Sequence, residues 1–119
     1  MMPQIEQLQN DVARARLAQS AAAYAFGVTQ QDVEAPTRRS REAALARQAA
    51  MYLAHVAFEL SLSRVAQAFG RDRSTAAHAC HRIEDRRDDH EFDAWMDALE
   101  DSLRSTPRIL PNADQGLLR

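Results

Sequence analysis

One stretch of the sequence decides the fold: Phe69-Gly70-Arg71-Asp72-Arg73-Ser74-Thr75-Ala76-Ala77-His78-Ala79-Cys80. Gly70 favours the end of a helix, and Asp72 or Ser74 can cap the free amides of the next one. A short helix over Leu62–Phe69 is predicted just before the stretch, because its apolar residues recur at helical spacing. Two helices joined by a tight polar turn form a helix-turn-helix, in which the second helix presents its first turn to the major groove of DNA.

Apolar residues at helical spacing predict further helices around this motif. They span residues 4–26, residues 40 to about 60 with Ser40 as the cap, and residues 90–103. Thr29 can cap a short helical turn that runs to Val33. No segment shows the alternation of a strand, so we predict an all-α fold, a small helical bundle with a helix-turn-helix. The inward faces of the first and last helices are predicted to carry Ile5, Leu8, Val12, Leu17, Ala21, Tyr24 and Ala25, and Phe92, Trp95, Met96, Leu99 and Leu103.

Three parts are predicted along the chain. Residues 1–17 form an N-terminal helical extension, residues 18–104 form the helix-turn-helix domain, and residues 105–119 form a flexible tail. The tail is expected to be loose because it is terminal and contains two prolines and a glycine. Residues 37–41, Thr-Arg-Arg-Ser-Arg, form a basic connector that leads into the long middle helix.

The 119-residue chain has a net charge of −2, but its charges are segregated. Between Arg38 and Arg87, ten arginines outnumber five acids, which gives this region a charge of +5. Between Asp88 and Asp101 there are seven acids and no arginine. All fifteen basic residues are Arg, whose planar guanidinium suits phosphates and guanine edges. The slightly negative mean charge therefore does not argue against a nucleic-acid partner.

Several function classes are not expected from this composition. No apolar run is long enough to span a membrane and no basic-then-apolar leader opens the chain, so a cytoplasmic protein is expected. The single cysteine, Cys80, fits a reducing compartment and a place in the core. His78, Cys80 and His81 lack the spacing of a metal site, and the chain has no lysine and no phosphate loop. We therefore expect no metal, nucleotide or other cofactor, and no enzyme.

Candidate base contacts lie on the first turn of the predicted recognition helix. Arg73 can donate to the O6 and N7 atoms of guanine, and Thr75 can offer its methyl group to thymine. Asp72 can cap the helix or accept a hydrogen bond from the amino group of cytosine. Ser74 adds a hydroxyl to the same turn. These residue types predict sequence-dependent recognition of double-stranded DNA.

Candidate phosphate contacts surround this turn. His78 and Arg82 continue the outer face of the recognition helix, and the amides at the start of the preceding helix, near Ser63 and Arg64, can bind a phosphate. Arginines on both sides extend the basic surface. The full set of predicted DNA contacts is Arg39, Arg41, Arg47, Ser63, Arg64, Arg71, Asp72, Arg73, Ser74, Thr75, His78 and Arg82.

These motifs resemble the C-terminal DNA-binding domain of the bacterial replication initiator DnaA. That family's element reads approximately F-G-x-R-D-H-T-T-x-x-H-A, and a preceding helix carries A-R-x-R-Q-x-A-M-x-L. Here the matching residues are 69–80 and, upstream, Arg47-Gln48-Ala49-Ala50-Met51-Tyr52-Leu53, within a similarity that covers about residues 18–87. The resemblance implies a Trp-repressor-like helical fold that binds DnaA-box duplexes or related sites and regulates replication initiation or transcription.

The resemblance breaks at positions that bear on DNA binding. The family's first Arg in A-R-x-R-Q inserts into the minor groove, and Leu45 holds that position here, without a charge or a hydrogen-bond donor. Arg73-Ser74 replaces the family's His-Thr pair, and the turn is one residue shorter than the common Gly-Gly form. Because the initiator's ATPase motif is missing from these residues, we expect a stand-alone relative of the DNA-binding domain that cannot melt an origin by itself.

Other functions are compatible with the same residues. A capped turn between amphipathic helices occurs in many α-bundles. A protein that kept this fold but lost the DNA site would act as an interaction module that modulates the replication initiator or its regulators. Leu45 and the acidic segment 88–101 favour that hypothesis, whereas the arginines around the turn favour DNA binding. A transcription regulator of the same fold would differ only in its target sites.

Overall fold

A computed structural model describes residues 3–35 and 40–106 of the chain. These residues form helices and no strand, which confirms the predicted all-α fold. In chain order the helices are α1 (Pro3–Phe26), α2 (Gln30–Glu34), α3 (Arg41–Ala57), α4 (Leu62–Phe69), α5 (Arg73–Arg86) and α6 (His90–Arg104). Helix α3 lies at the centre and contacts each of the other five, so the core forms around it.

Polar side chains begin most of these helices by accepting hydrogen bonds from backbone amides, as the sequence predicts. The Oγ atom of Ser40 accepts from the amide of Ala43 at 3.0 Å at the start of α3. Ser61 caps α4 in the same way. Of the two candidates for α5, Asp72 is the cap and Ser74 lies within the helix. Gly70 ends α4 with a φ of 68°, a left-handed conformation that costs glycine little.

Alanine, rather than large apolar residues, forms the buried face of α1. Ala18 and Ala22 are fully buried, and the facing helix α3 buries a matching set of alanines. Side chains this small let the two backbones approach closely, so the larger residues of α1 are displaced from the contact. Tyr24, predicted to point inward, is 91% exposed, and Ile5 is 49% exposed. The predicted inward stripe of α1 was therefore wrong at these two positions.

Helix α3 ends earlier than predicted, at Ala57 rather than near Leu60. The chain then reverses through Glu59, whose φ of 60° lies in the left-handed region. This turn buries Leu60, which is 2% exposed, and the Nδ1 atom of His55 donates a 2.7 Å hydrogen bond to the carbonyl of Leu60. Burial of Leu60 against the core ends the helix, because a further helical turn would carry that side chain away from its buried position.

Arg87 ties the acidic helix α6 to the rest of the protein. Its guanidinium forms ion pairs with Asp93, Asp97 and Glu100 of α6 and donates a 2.8 Å hydrogen bond to the hydroxyl of Tyr52 in α3. Burial by itself lowers the pKa of Arg87, but hydrogen bonds to these partners outweigh that effect and hold its pKa above the ordinary value. The acidic segment, predicted to be a solvated face, is thus partly engaged in a structural ion-pair network.

Trp95 lies at the edge of the core rather than inside it. Its side chain is 37% exposed, whereas the neighbouring Met96, also predicted to be in the core, is fully buried. The Trp95 ring packs on Phe26 of α1 with 4.6 Å between ring centroids and meets Phe92 edge-on at 6.1 Å. The guanidinium of Arg86 also contacts Phe92 and lies 5.1 Å from its ring centroid. These contacts join the ends of α1, α5 and α6.

Two predicted regions fall partly outside the described residues. Residues 107–119 of the predicted tail and residues 37–39 of the connector are among those not described. The predicted N-terminal extension is described from residue 3, and it continues into residues 18–26 as one helix. No helix in the described part of the chain has the length and apolar character needed to cross a membrane.

Candidate nucleic-acid interface

The first turn of α5 carries the predicted base contacts on the protein surface. Arg73 and Ser74 are exposed, and Thr75 is half-buried. The Oδ1 atom of Asp72 accepts three hydrogen bonds: from the Thr75 amide at 3.0 Å, the Thr75 hydroxyl at 2.7 Å and the Ser74 hydroxyl at 3.1 Å. This carboxylate therefore fixes both hydroxyl side chains at the helix end, which is the end that a helix-turn-helix presents to base edges.

The hydrogen bonds to Asp72 also determine what the two hydroxyls can do. The hydrogen bond from the Thr75 hydroxyl is the main cause of a lowered Asp72 pKa, with the Thr75 amide and the Ser74 hydroxyl adding to it. With their hydrogens directed at Asp72, both hydroxyls are left with oxygen lone pairs for further hydrogen bonds. Lone pairs accept hydrogen bonds, so this arrangement suits the amino groups of adenine or cytosine.

The outer face of α5 continues this surface with basic side chains. His78 and Arg82 are exposed, as is Arg86 one turn further along. Residues 75, 78, 82 and 86 are three or four positions apart, so they follow one side of the helix. The face therefore leads from the candidate base contacts to a basic region at the C-terminal end of α5.

A groove lies between this region and the start of α3. It has a volume of about 500 Å³ and is lined by Arg41, Glu42, Ala44, Leu45, Gln48, Arg82 and Arg86. A smaller hollow of about 110 Å³ lies next to it along α3 and α5, with Gln48, Arg71, Thr75 and His78 in its wall. Because Gln48 lines both, the two depressions adjoin each other between the same two helices.

Arg47, predicted as a DNA contact, lies inside the protein. It is 8% exposed and donates hydrogen bonds to two backbone carbonyls near the end of α2, from Nε to Val33 at 2.9 Å and from Nη2 to Asp32 at 3.0 Å. Burial lowers the pKa of Arg47, and the positive charge of Arg71 lowers it further. These two hydrogen bonds hold α2 against α3, and Arg47 also lines the smaller hollow.

Arg64 is also engaged inside the fold. Its Nε and Nη2 atoms donate to the two carboxylate oxygens of Asp11 in α1, at 2.9 and 2.8 Å. The side chain of Asp11 is only 3% exposed, and its hydrogen bond raises the pKa of Arg64. Ser63, beside it at the start of α4, is exposed. Arg64 thus joins the first helix of the helix-turn-helix to α1.

The twelve predicted contacts therefore separate into groups. Thr75 and His78 share the small hollow with Arg71, while Arg41 and Arg82 line the larger groove. Arg39 lies outside the described residues. Two residues that line the groove, Gln48 and Arg86, were not predicted as contacts. Gln48 is part of the A-R-x-R-Q motif, and Arg86 lies four residues after Arg82, so helical spacing could have indicated it.

Within residues 3–35 and 40–106, no group of three or more His, Cys, Asp or Glu side chains is arranged to hold a metal ion. Cys80, which the sequence places in the core, is buried. His78 and His81 are exposed on α5. The two depressions and the first turn of α5 carry guanidinium, imidazole, hydroxyl and amide groups, which bind phosphates or base edges, together with the carboxylates of Glu42 and Asp72.

Comparison with known proteins identifies the family of this helix-turn-helix. A family model described as the bacterial dnaA protein helix-turn-helix matches residues 15–83, more than half of the chain. The chromosomal replication initiator protein DnaA of Streptococcus agalactiae serotype Ia is 39% identical over 88 residues, which are 73% of this chain and 17% of that protein. The same-named protein of Lachnoclostridium phytofermentans is 39% identical over 71 residues, 58% of this chain and 16% of that protein.

The chain thus spans less than a fifth of the curated relatives it matches. The matched region contains the helix-turn-helix, the capped first turn of α5 and most of the residues that line the two depressions. A helix-turn-helix of this kind indicates DNA binding related to replication initiation. The chain belongs to the family of the bacterial DnaA helix-turn-helix domain.

Proposed function

We propose that this domain binds double-stranded DNA in a sequence-dependent way and regulates replication initiation or transcription by occupying its sites. The observation that carries the proposal is the first turn of α5, where Arg73 and Ser74 are exposed and Asp72 holds the hydroxyls of Ser74 and Thr75. In this proposal α5 enters the major groove. Arg73 donates to a guanine, and the hydroxyl oxygens accept from base amino groups.

Phosphate contacts would orient the domain on the duplex. His78 and Arg82 extend from the outer face of α5, and Arg41 faces the same groove from α3. Ser63 at the exposed start of α4 is a further candidate, since helix N-termini bind phosphates. Arg47 and Arg64 take no direct part in this proposal, because their guanidinium groups are engaged with Val33 and with Asp11.

The relatives support replication sites as the first targets to test. They are named as chromosomal replication initiator proteins, and the similarity includes the helix that would read DNA. We propose a DnaA-box duplex or a related site as the ligand, and a cytoplasmic, non-enzymatic protein that acts without a bound nucleotide.

A second candidate is a protein-interaction module that modulates the initiator machinery. Leu45 favours it, because this side chain lines the groove between α3 and α5 and offers no hydrogen bond to a base or phosphate. The acidic helix favours it less than the sequence predicts, because Asp93, Asp97 and Glu100 pair with Arg87 within the fold. DNA binding remains the function that the exposed, capped turn supports best.

Fluorescence anisotropy tests the two candidates directly. A labelled duplex carrying a DnaA box and a scrambled duplex of equal composition would be titrated with the protein over a series of salt concentrations. We expect tighter binding to the box duplex and a linear fall of log K with log salt. Equal binding to both duplexes would contradict sequence-dependent recognition. Failure to bind either duplex at low salt would favour the interaction module.

A further inference from the structure

The groove between α3 and α5 is lined mainly by positive charges. Base contacts from the first turn of α5 do not account for them. Three arginines, Arg41, Arg82 and Arg86, line it together with a single acid, Glu42. All three arginines are exposed side chains around one concave surface. Like charges held this close repel each other, so their convergence favours an anionic ligand between them.

The position of the groove indicates which part of a duplex it would meet. Thr75 and Arg86 are eleven positions apart on α5, a distance of about 16 Å along a helix that rises 1.5 Å per residue. The major groove of B-DNA is only about 12 Å wide. A ligand-facing surface this far from the base-reading turn therefore lies beyond the edge of the major groove, where a sugar–phosphate strand runs.

Arg86 is held in a defined place by its neighbour. Its guanidinium lies 5.1 Å from the centroid of the Phe92 ring, and Phe92 is 7% exposed. Contact with a fixed aromatic face limits the freedom of a long side chain, so less conformational entropy is lost when a ligand binds. A guanidinium restrained in this way is well suited to a phosphate, which it can bind through two parallel hydrogen bonds.

We propose that the groove lined by Arg41, Leu45, Gln48, Arg82 and Arg86 binds a sugar–phosphate strand of the duplex next to the major groove, as a second and sequence-independent contact. This inference rests on the proposed function, since it requires α5 to lie on DNA. Arg82 and Arg86 bind phosphates. Leu45 packs on deoxyribose and reads no base, because its side chain has no donor or acceptor.

The first turn of α5 and the groove therefore contribute differently to DNA binding. Sequence preference comes from the first turn of α5, whereas the groove contributes affinity that depends on salt and not on sequence. Arginines on α5 thus take over the positive charge that the family carries at position 45.

The test measures the salt dependence of duplex binding for Arg82→Met, Arg86→Met and the double variant. Met keeps an unbranched stem and removes the charge, and at position 86 it also removes the guanidinium that lies over Phe92. The slope of log K against log salt is about −0.9 per phosphate contact, so the double variant is expected to lose about 1.8 from its magnitude. The ratio of affinities for box and scrambled duplexes is expected to stay unchanged.

Arg16→Met is the matched control. Arg16 is exposed on α1 and borders a hollow lined only by α1 residues, so this change removes the same charge away from the groove. The slope of the control variant is expected to equal that of the wild type. Fluorescence of Trp95, the single tryptophan, reports whether the packing around Phe92 survives in each variant.

A variant that adds a positive charge at Leu45 tests whether this lining residue of the groove lies beside a DNA strand. Leu45→Arg is expected to strengthen binding to every duplex and to increase the magnitude of the slope by about 0.9, because it adds a guanidinium beside the same strand. An unchanged slope in the folded double variant would overturn the inference, as would a loss of box preference. If wild-type protein bound no duplex at low salt, the proposed function itself would fail, and no variant would be needed to show it.

A small anion such as inorganic phosphate offers the groove the same charged group as a DNA strand does. Inorganic phosphate would be added at constant ionic strength during duplex titrations of the wild type and the double variant. If the groove holds a DNA strand, millimolar phosphate is expected to leave the wild-type affinity unchanged. Competition by phosphate that disappears in the double variant would show a site for small anions and would contradict the proposal.

Discussion

Arg71, in the turn of the helix-turn-helix, donates a 3.0 Å hydrogen bond from Nη2 to the carbonyl oxygen of Ala35. Ala35 caps the end of α2 and is the last described residue before the connector that contains Arg38 and Arg39. The bond therefore joins the turn of the helix-turn-helix to the residue that ends α2, which precedes this turn in the chain by two whole helices, α3 and α4. Together with Arg47, Arg71 satisfies carbonyls at the C-terminal end of α2, where helices prefer positive charge.

Arg47→Ala is expected to destabilise the fold rather than only weaken DNA binding. The change leaves the carbonyls of Asp32 and Val33 without their buried guanidinium partner, at a cost of about 2–4 kcal/mol in the free energy of unfolding. Urea denaturation followed by circular dichroism measures this. Arg41→Ala is the control, because Arg41 is exposed and its loss is expected to change stability by less than about 0.5 kcal/mol. Equal stability of the two variants would contradict an internal role for Arg47.

Arg73→Ala combined with Thr75→Ala is expected to flatten the preference among DNA sequences. Each good base contact contributes about 1–3 kcal/mol of discrimination, so removing two brings the affinities for box and scrambled duplexes close together. Competition titrations with unlabelled duplexes measure the ratio. Arg82→Ala serves for comparison, since loss of a phosphate contact should weaken both duplexes equally. A double variant that kept its box preference would show that α5 does not read the bases.

The Asp11–Arg64 pair is expected to respond unequally to the removal of either partner. Arg64→Ala leaves the Asp11 carboxylate, with a side chain 3% exposed, without its bidentate partner, and we expect a loss of about 2 kcal/mol in stability. Asp11→Ala is expected to cost less, since the Arg64 side chain is 36% exposed and can be rehydrated. A double-mutant cycle in urea measures both losses and the coupling. A larger loss for Asp11→Ala would argue against this account of the pair.

Cys80 is expected to be unreactive toward thiol reagents at neutral pH. Burial, helped by the negative charge of Glu84, raises its pKa from 9.0 to about 11, so very little thiolate is present. Because the pKa is higher in the folded state, the thiol's contribution to stability is complete below about pH 9 and is lost as the pH rises toward 11. Release of thionitrobenzoate from Ellman's reagent, with and without urea, measures the reactivity. Rapid labelling of the folded protein at pH 7 would contradict the buried position.

The helices and their caps could be predicted from the sequence because both depend on local chemistry. Ser40, Ser61 and Asp72 accept hydrogen bonds from amides three residues later, and Gly70 adopts the left-handed conformation that ends α4. The packing of α1 was less predictable. Alanines form its buried face and leave Tyr24 in solvent, because the close approach of α1 and α3 depends on both helices at once.

The sequence by itself determined the family, the helix-turn-helix and the exposed turn from Asp72 to Thr75, since neighbouring residues specify each of these. Only the tertiary structure decided which arginines bond to partners inside the fold. Arg47, Arg64 and Arg71 bond to partners 14, 53 and 36 positions away along the chain, whereas Arg82 and Arg86 line an open groove. A guanidinium carries the same charge in every case. Its function follows from whether folding brings a carbonyl, a carboxylate or solvent within reach.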